Sequence, residues 1–172
     1  ENDGSAYLMQ PGQASRKISI TASIDDKTAM EERIVMTTGM EEGALSPKGD
    51  HVVFGVRGEL WLVPVKKGKG PNADDATQLT TYAGVDAQPL WHPDGKHVFF
   101  VSDRDGAERI FRLDTETKTV TPMVRDDYDQ SQLKLTPDKR HLTYWLAGPN
   151  GGLFRISVSG GAPERLLDRP WL

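Results

Sequence analysis

A chain of 172 residues is long enough to bury one ordinary core, and its formal net charge of −4 argues against a scaffold held to nucleic acid by phosphate contacts. With no cysteine, neither a disulfide frame nor a thiolate metal site is available. No apolar run approaches the roughly 20 residues of a membrane helix, and 17 glycines plus 11 prolines at an apolar fraction of 37% fit many short strands and turns better than helices.

In chain order, residues 1–20 read as the closing half of a repeated unit. Ala6-Tyr7-Leu8-Met9 precedes a turn at Pro11-Gly12, and Arg16 to Ile20 forms an outer strand. A start at Glu1, in mid-unit, is expected of a processed protein or an excised segment. Residues 21–41 read as a connector carrying Asp25, Asp26, Glu31 and Glu32. Its β-rich Arg33-Ile34-Val35-Met36-Thr37 predicts a short strand or a loop rather than a helix.

Full units follow at 42–81, 85–125 and 130–168. The middle one is the clearest. Pro93-Asp94-Gly95-Lys96 is turn chemistry, with φ preset by Pro and a left-handed position for Gly. His97-Val98-Phe99-Phe100-Val101 is a short apolar run expected to be buried on both faces. Asp103-Arg104-Asp105-Gly106 closes a second hairpin, and Arg109-Ile110-Phe111-Arg112-Leu113 alternates as a strand nearer a surface would. The turn prolines Pro47, Pro93 and Pro137 give periods of 93 − 47 = 46 and 137 − 93 = 44 residues. Several strands per unit at a period in the forties mark a β-propeller blade.

The copies LSPKGDHVVF, WHPDGKHVFFVSDRDG and LTPDKRHLTYW resemble the WD-like repeats of TolB-type propellers, and RGELWLVPVKKG followed by QLT is similar to the propeller of tricorn-like proteases. The resemblance implies an all-β fold of four-stranded antiparallel blades, present as about three and a half blades of a partial or open propeller. Two positions depart from the family pattern: His92 stands where Ser or Thr is usual, and Lys139 replaces the turn Gly. A tricorn-like parent implies a protease nucleophile in a later domain, outside these residues.

His51, His97 and His141 each lie four residues after a repeat proline, so they occupy one strand-start position in separate units. That position reads as structural; the alternative is an inward ring of imidazoles able to hold metal. Asp103-Arg104-Asp105-Gly106 faintly matches the start of a calcium loop but lacks its later acidic ligands, so a hairpin turn is expected. Asp126-Asp127-Tyr128-Asp129 reads as a solvated connection, or as carboxylates offered to a basic peptide. Lys66, Lys67 and Lys69 read as a solvated hairpin within the longer segment Lys66 to Asp75, and Gly148 to Gly152 lengthens another hairpin. The aromatic positions Tyr7, Trp61, Phe111 and Phe154 read as packing between blades. No Ser elbow or Ser, His and Asp set is present, so no catalytic, cofactor or metal residue is assigned.

The function expected is a non-catalytic scaffold for protein or peptide binding, as a substrate-gating or docking module of a larger tricorn-like protease or related hydrolase. The alternative is a stand-alone TolB-like interaction protein of the bacterial envelope. The first expected location is the periplasm, with the cytoplasm as the alternative. A homodimer through open blade edges is also expected, because unpaired edges attract partners.

Overall fold

The computed structural model describes residues 6–8, 16–18, 42–66 and 75–168. The chain divides into two compact units, Glu1–Ile34 and Val35–Leu172. In the first, β1 (Ala6–Leu8) pairs antiparallel with β2 (Arg16–Ile18), Tyr7 opposite Lys17. The connector 21–41, Lys67 and Lys69 lie outside the described residues.

The second unit contains three four-stranded sheets, each an antiparallel meander. The first holds β3 (Gly43–Leu45), β4 (His51–Val56), β5 (Glu59–Pro64) and β6 (Thr77–Gln78). The second holds β7 (Asp86–Trp91), β8 (His97–Ser102), β9 (Arg109–Asp114) and β10 (Val120–Pro122). The third holds β11 (Gln130–Leu135), β12 (His141–Leu146), β13 (Gly152–Ser157) and β14 (Glu164–Asp168). Among the described residues, β3 neighbours β7 and β7 neighbours β11, whereas no fourth strand approaches another sheet. The sheets therefore fan out from their first strands, which is the arrangement of propeller blades.

The turns account for this regularity. The N–H groups of Gly49, Gly95 and Lys139 donate to the carbonyls of Ser46, His92 and Thr136 at 2.9, 3.0 and 2.8 Å. All three donors are left-handed, at φ 72°, 69° and 58°. Glycine adopts that conformation without steric cost, whereas Lys139 does so against its Cβ. Between β4 and β5, Arg57 (φ 52°) and Gly58 (φ 79°) make the two-residue turn with both φ values positive that suits the twist of a hairpin.

The strand β8 is buried on both faces, as its apolar run predicts. Val98 and Phe100 pack with Val53, Leu60 and Trp91 on the first-blade side. Phe99 and Val101 pack with Leu142, Tyr144 and Leu146 on the third-blade side. Burying each such side chain contributes about 1.5–3 kcal/mol. The same sandwiching corrects the expectation for β9. Ile110, Phe111 and Leu113 are buried, because Ile110 faces the third blade while Phe111 and Leu113 face the first. Of the repeated aromatics, Phe111 packs on Phe100 and Phe154 stacks on Tyr144, both at 5.8 Å between centroids. Trp61 is half-buried, and the side chain of Tyr7 lies outside the described residues.

Neighbouring blades are also hydrogen-bonded. The Ile110 N–H of the second blade donates to Gln130 Oε1 of the third at 3.0 Å, whereas the equivalent N–H of Leu60 is satisfied within the first blade by Thr80 Oγ1 at 2.9 Å. Bulges at Gln88 and Gln132, 132 − 88 = 44 residues apart, interrupt β7 and β11 with positive φ. At the first of these, Gln88 Oε1 accepts the Leu133 N–H at 3.2 Å.

Candidate binding face

In a four-stranded meander, the turn between the second and third strands and the connection to the next blade fall at the same end. In the second blade these are Asp103–Gly106 and the segment 123–129. Between them lies a groove of about 570 Å³ lined by Asp105, Arg109, Pro122, Arg125, Asp126 and Asp127. The β9–β10 hairpin places Arg109 beside Pro122 and Arg125, although Arg109 and Arg125 are 16 residues apart in sequence.

The turn itself is structural. Asp103 Oδ1 accepts the Val85 N–H at 2.9 Å, and the Gly106 N–H donates to the Asp103 carbonyl at 2.8 Å. Arg104 turns inward to the buried Asp86. Asp103 and Arg104 are thus committed to the fold, and this stretch is a hairpin turn. The acidic run at 126–129 divides similarly. Asp129 Oδ1 accepts the Glu108 N–H at 3.0 Å and Asp126 Oδ1 the Tyr128 N–H at 3.3 Å, whereas the Asp127 side chain is fully exposed.

Arg109 is the least satisfied residue of the groove. Its guanidinium lies 3.7 Å from Asp105 Oδ2 and 4.0 Å from Asp127 Oδ1, too long for hydrogen bonds. Its Nε is buried with no partner, a state that costs about 1–3 kcal/mol for a donor. Arg109 is 18% exposed, so its cationic head is held in place while still reaching the groove. Two guanidiniums and three carboxylates in one groove match a ligand carrying both signs of charge, as a peptide does. Asp126 also acts on the core: burial first, then the Asp126 charge, pushes the Tyr144 hydroxyl up to about 12.

The repeat histidines do not form a ring among the described residues. His51 lies 3.1 Å from Asp50 and His97 lies 2.7 Å from Asp94, each within its own turn. Only His97 belongs to a cluster of potential metal ligands, together with His92 and Asp94. Lys66 pairs with Asp75, and the segment 67–74 between them lies outside the described residues. Of the groove residues, Asp126 and Asp127 belong to the run that the sequence offers as carboxylates for a basic peptide, Asp105 to a stretch that it reads as a hairpin turn, and Arg109 and Arg125 to neither. No local spacing links those two arginines before the β9–β10 pairing is known.

No protein-family model matches the chain, and no curated protein matches it. Solved structures do. TolB from Acinetobacter baumannii is similar at a TM-score of 0.61 and 20% identity, over 74% of this chain and 32% of that one. A puromycin-hydrolysing peptidase from Mycobacterium tuberculosis is similar at 0.60 and 14%, over 90% and 27%. The tricorn protease is similar at 0.52 and 11%, over 84% and 15%. The chain thus spans less than a third of each of these structures. At such identities the likeness establishes the fold alone, that of β-propeller blades.

Proposed function

We propose that this propeller is a non-catalytic scaffold that binds a peptide or protein segment in the groove around Arg109. The observation that carries this reading is the Arg109 guanidinium, whose Nη atoms reach the groove beside Asp105, Asp127 and Arg125 without a hydrogen bond to either carboxylate. A carboxylate such as a peptide C-terminus would satisfy Arg109 and Arg125, while Asp105 and Asp127 would receive a basic side chain. The scaffold serves as a docking or gating module of a larger tricorn-like protease or related hydrolase. Supporting this are the likenesses to a puromycin-hydrolysing peptidase and to the tricorn protease, of which this chain matches only a part. The likeness to TolB favours a second reading, an interaction protein of the bacterial envelope. We place the protein in the periplasm under both readings; a cysteine-free chain is compatible with that compartment.

The test is fluorescence anisotropy with short unstructured peptides that carry a basic residue and a free C-terminal carboxylate, against their amidated forms. A hydrogen bond to a charged group is worth about 1.5–3 kcal/mol. Amidation, or Arg109→Gln, is therefore expected to weaken binding by roughly tenfold to a hundredfold. Equal binding by both peptide forms and both proteins would overturn the assignment. A parent reading frame without any hydrolase domain would leave the envelope reading in its place.

A further inference from the structure

We propose that the turn joining β7 to β8 is a binding site for one divalent transition-metal ion of the zinc class, held by His92, Asp94 and His97, with Asp114 orienting His97. This site lies at the opposite end of the blade from the groove, and nothing in the binding reading uses it.

The three residues offer ligand atoms that all lie within 4.8 Å of one another. His92 Nδ1 is 3.0 Å from Asp94 Oδ1, and His97 Nδ1 is 2.7 Å from Asp94 Oδ2. Around a tetrahedral zinc with bonds of about 2.0–2.2 Å, neighbouring ligand atoms stand roughly 3.3 Å apart. The cluster therefore needs only small side-chain movements to close on an ion. Both imidazoles direct the same ring nitrogen at the one carboxylate, and the His92 and His97 rings meet edge to face at 5.8 Å.

The proton arrangement points the same way. The Asp94 N–H donates to His92 Nδ1 at 3.1 Å, so that nitrogen carries its lone pair, yet it also faces Asp94 Oδ1 at 3.0 Å. An ion entering here would take that lone pair from the Asp94 N–H and bridge the nitrogen to Asp94 Oδ1. On the far side, His97 Nε2 lies 3.6 Å from Asp114 Oδ2. Asp114 is itself fixed by the N–H groups of Glu116 and Thr117 at 2.9 and 2.8 Å. At 3.6 Å the approach of His97 to Asp114 is an ion-pair contact rather than a hydrogen bond, and a small ring movement brings Asp114 into the supporting place that a carboxylate takes behind a metal-bound histidine.

The fold does not require an imidazole at position 92. In the first and third blades the equivalent residues are Ser46 and Thr136, whose hydroxyls accept the N–H of His51 and His141 at 3.0 and 3.1 Å. In the second blade that duty passes to Asp94 Oδ1, which accepts the His97 N–H at 3.1 Å and the Lys96 N–H at 2.8 Å. His92 does not cap the start of β8; its ring accepts the Asp94 N–H and is backed by the Phe99 ring at 5.3 Å. Two histidines and one carboxylate suit zinc, cobalt, nickel or copper rather than calcium or magnesium, and leave a position open for water or a further ligand.

The test is calorimetric titration of the chelator-treated full chain with zinc chloride, alongside His92→Ser and Asp114→Asn, with circular dichroism to verify the fold of each. Serine is the residue of the first blade at this position, so His92→Ser keeps a turn the protein already uses. The expected result is uptake of a single zinc ion by the parent chain, loss of that uptake in His92→Ser, and a 10–100-fold weakening in Asp114→Asn. Cobalt in place of zinc is expected to give the visible absorption of a four-coordinate ion, absent in His92→Ser. Zinc uptake by the parent no stronger than by folded His92→Ser would overturn the site. Should His92→Ser fail to fold, an unchanged affinity in Asp114→Asn together with no cobalt spectrum in the parent would do so.

Discussion

Arg104 Nη2 lies 2.9 Å from each carboxylate oxygen of Asp86, a residue with no exposed surface. The same guanidinium sits 5.2 Å from the ring centroids of Tyr82 and Phe100 and 5.0 Å from that of Phe111, and its Nε donates to Ser102 Oγ at 2.9 Å. This pair fixes the β8–β9 turn, which forms one wall of the groove, to the start of β7. Removing one partner leaves the other charge buried and uncompensated, at a cost of about 3–5 kcal/mol. Asp86→Ala is therefore expected to lower the urea midpoint sharply. Asp86→Val combined with Arg104→Met should cost much less than Asp86→Ala alone. Urea unfolding followed by tryptophan fluorescence checks both.

Lys139 occupies the left-handed position that Gly49 and Gly95 hold in the other blades. A residue with a Cβ pays roughly 1–2 kcal/mol there, partly offset by the greater freedom glycine has in the unfolded chain. Lys139→Gly is expected to stabilise the chain by about 0.5–1 kcal/mol, and Gly95→Lys to destabilise it by at least as much. Paired thermal melts measure the two shifts, and melts of the same sign would contradict the turn geometry.

The carboxyl of Asp138 is held below its ordinary 3.8, first by the Thr136 hydroxyl and then by the Arg140 N–H, with burial opposing both. A group whose folded-state value is depressed adds stability above its unfolded value and loses it as pH falls. Asp138 thus contributes above about pH 4, and its contribution disappears as the solution is acidified below that. Denaturant midpoints across this range should fall less steeply in Asp138→Asn than in the parent chain.

Asp127 is fully exposed and meets Arg109 only at 4.0 Å. A pair this loose and exposed adds little stability. Asp127→Ala should leave the melting curve almost unchanged, within about 0.5 kcal/mol, while weakening peptides that carry a basic residue. A large loss of stability with unchanged peptide affinity would make Asp127 a structural residue.

Much of the fold was legible because each blade writes its turns and its buried strand locally. Pro93-Asp94-Gly95 and the run Val98 to Val101 are sufficient for a turn and a two-faced strand. The burial of β9 was not legible, because the alternation around Arg112 looks like a surface strand until a blade is placed against each face. The acidic run 126–129 could not be divided from sequence either, since the bond from Glu108 to Asp129 depends on the return of the chain into β11. His92 was visible as a departure from the repeat. Its meeting with Asp94 and His97 follows only from the tightness of the turn.

Amide NMR shifts of the chain titrated with a basic, carboxylate-terminated peptide test the binding reading most directly. The expected result is a set of perturbations confined to residues 105–109 and 122–127, reduced by Arg109→Gln. Perturbations that fall on other residues and survive Arg109→Gln, or none at all, would contradict it.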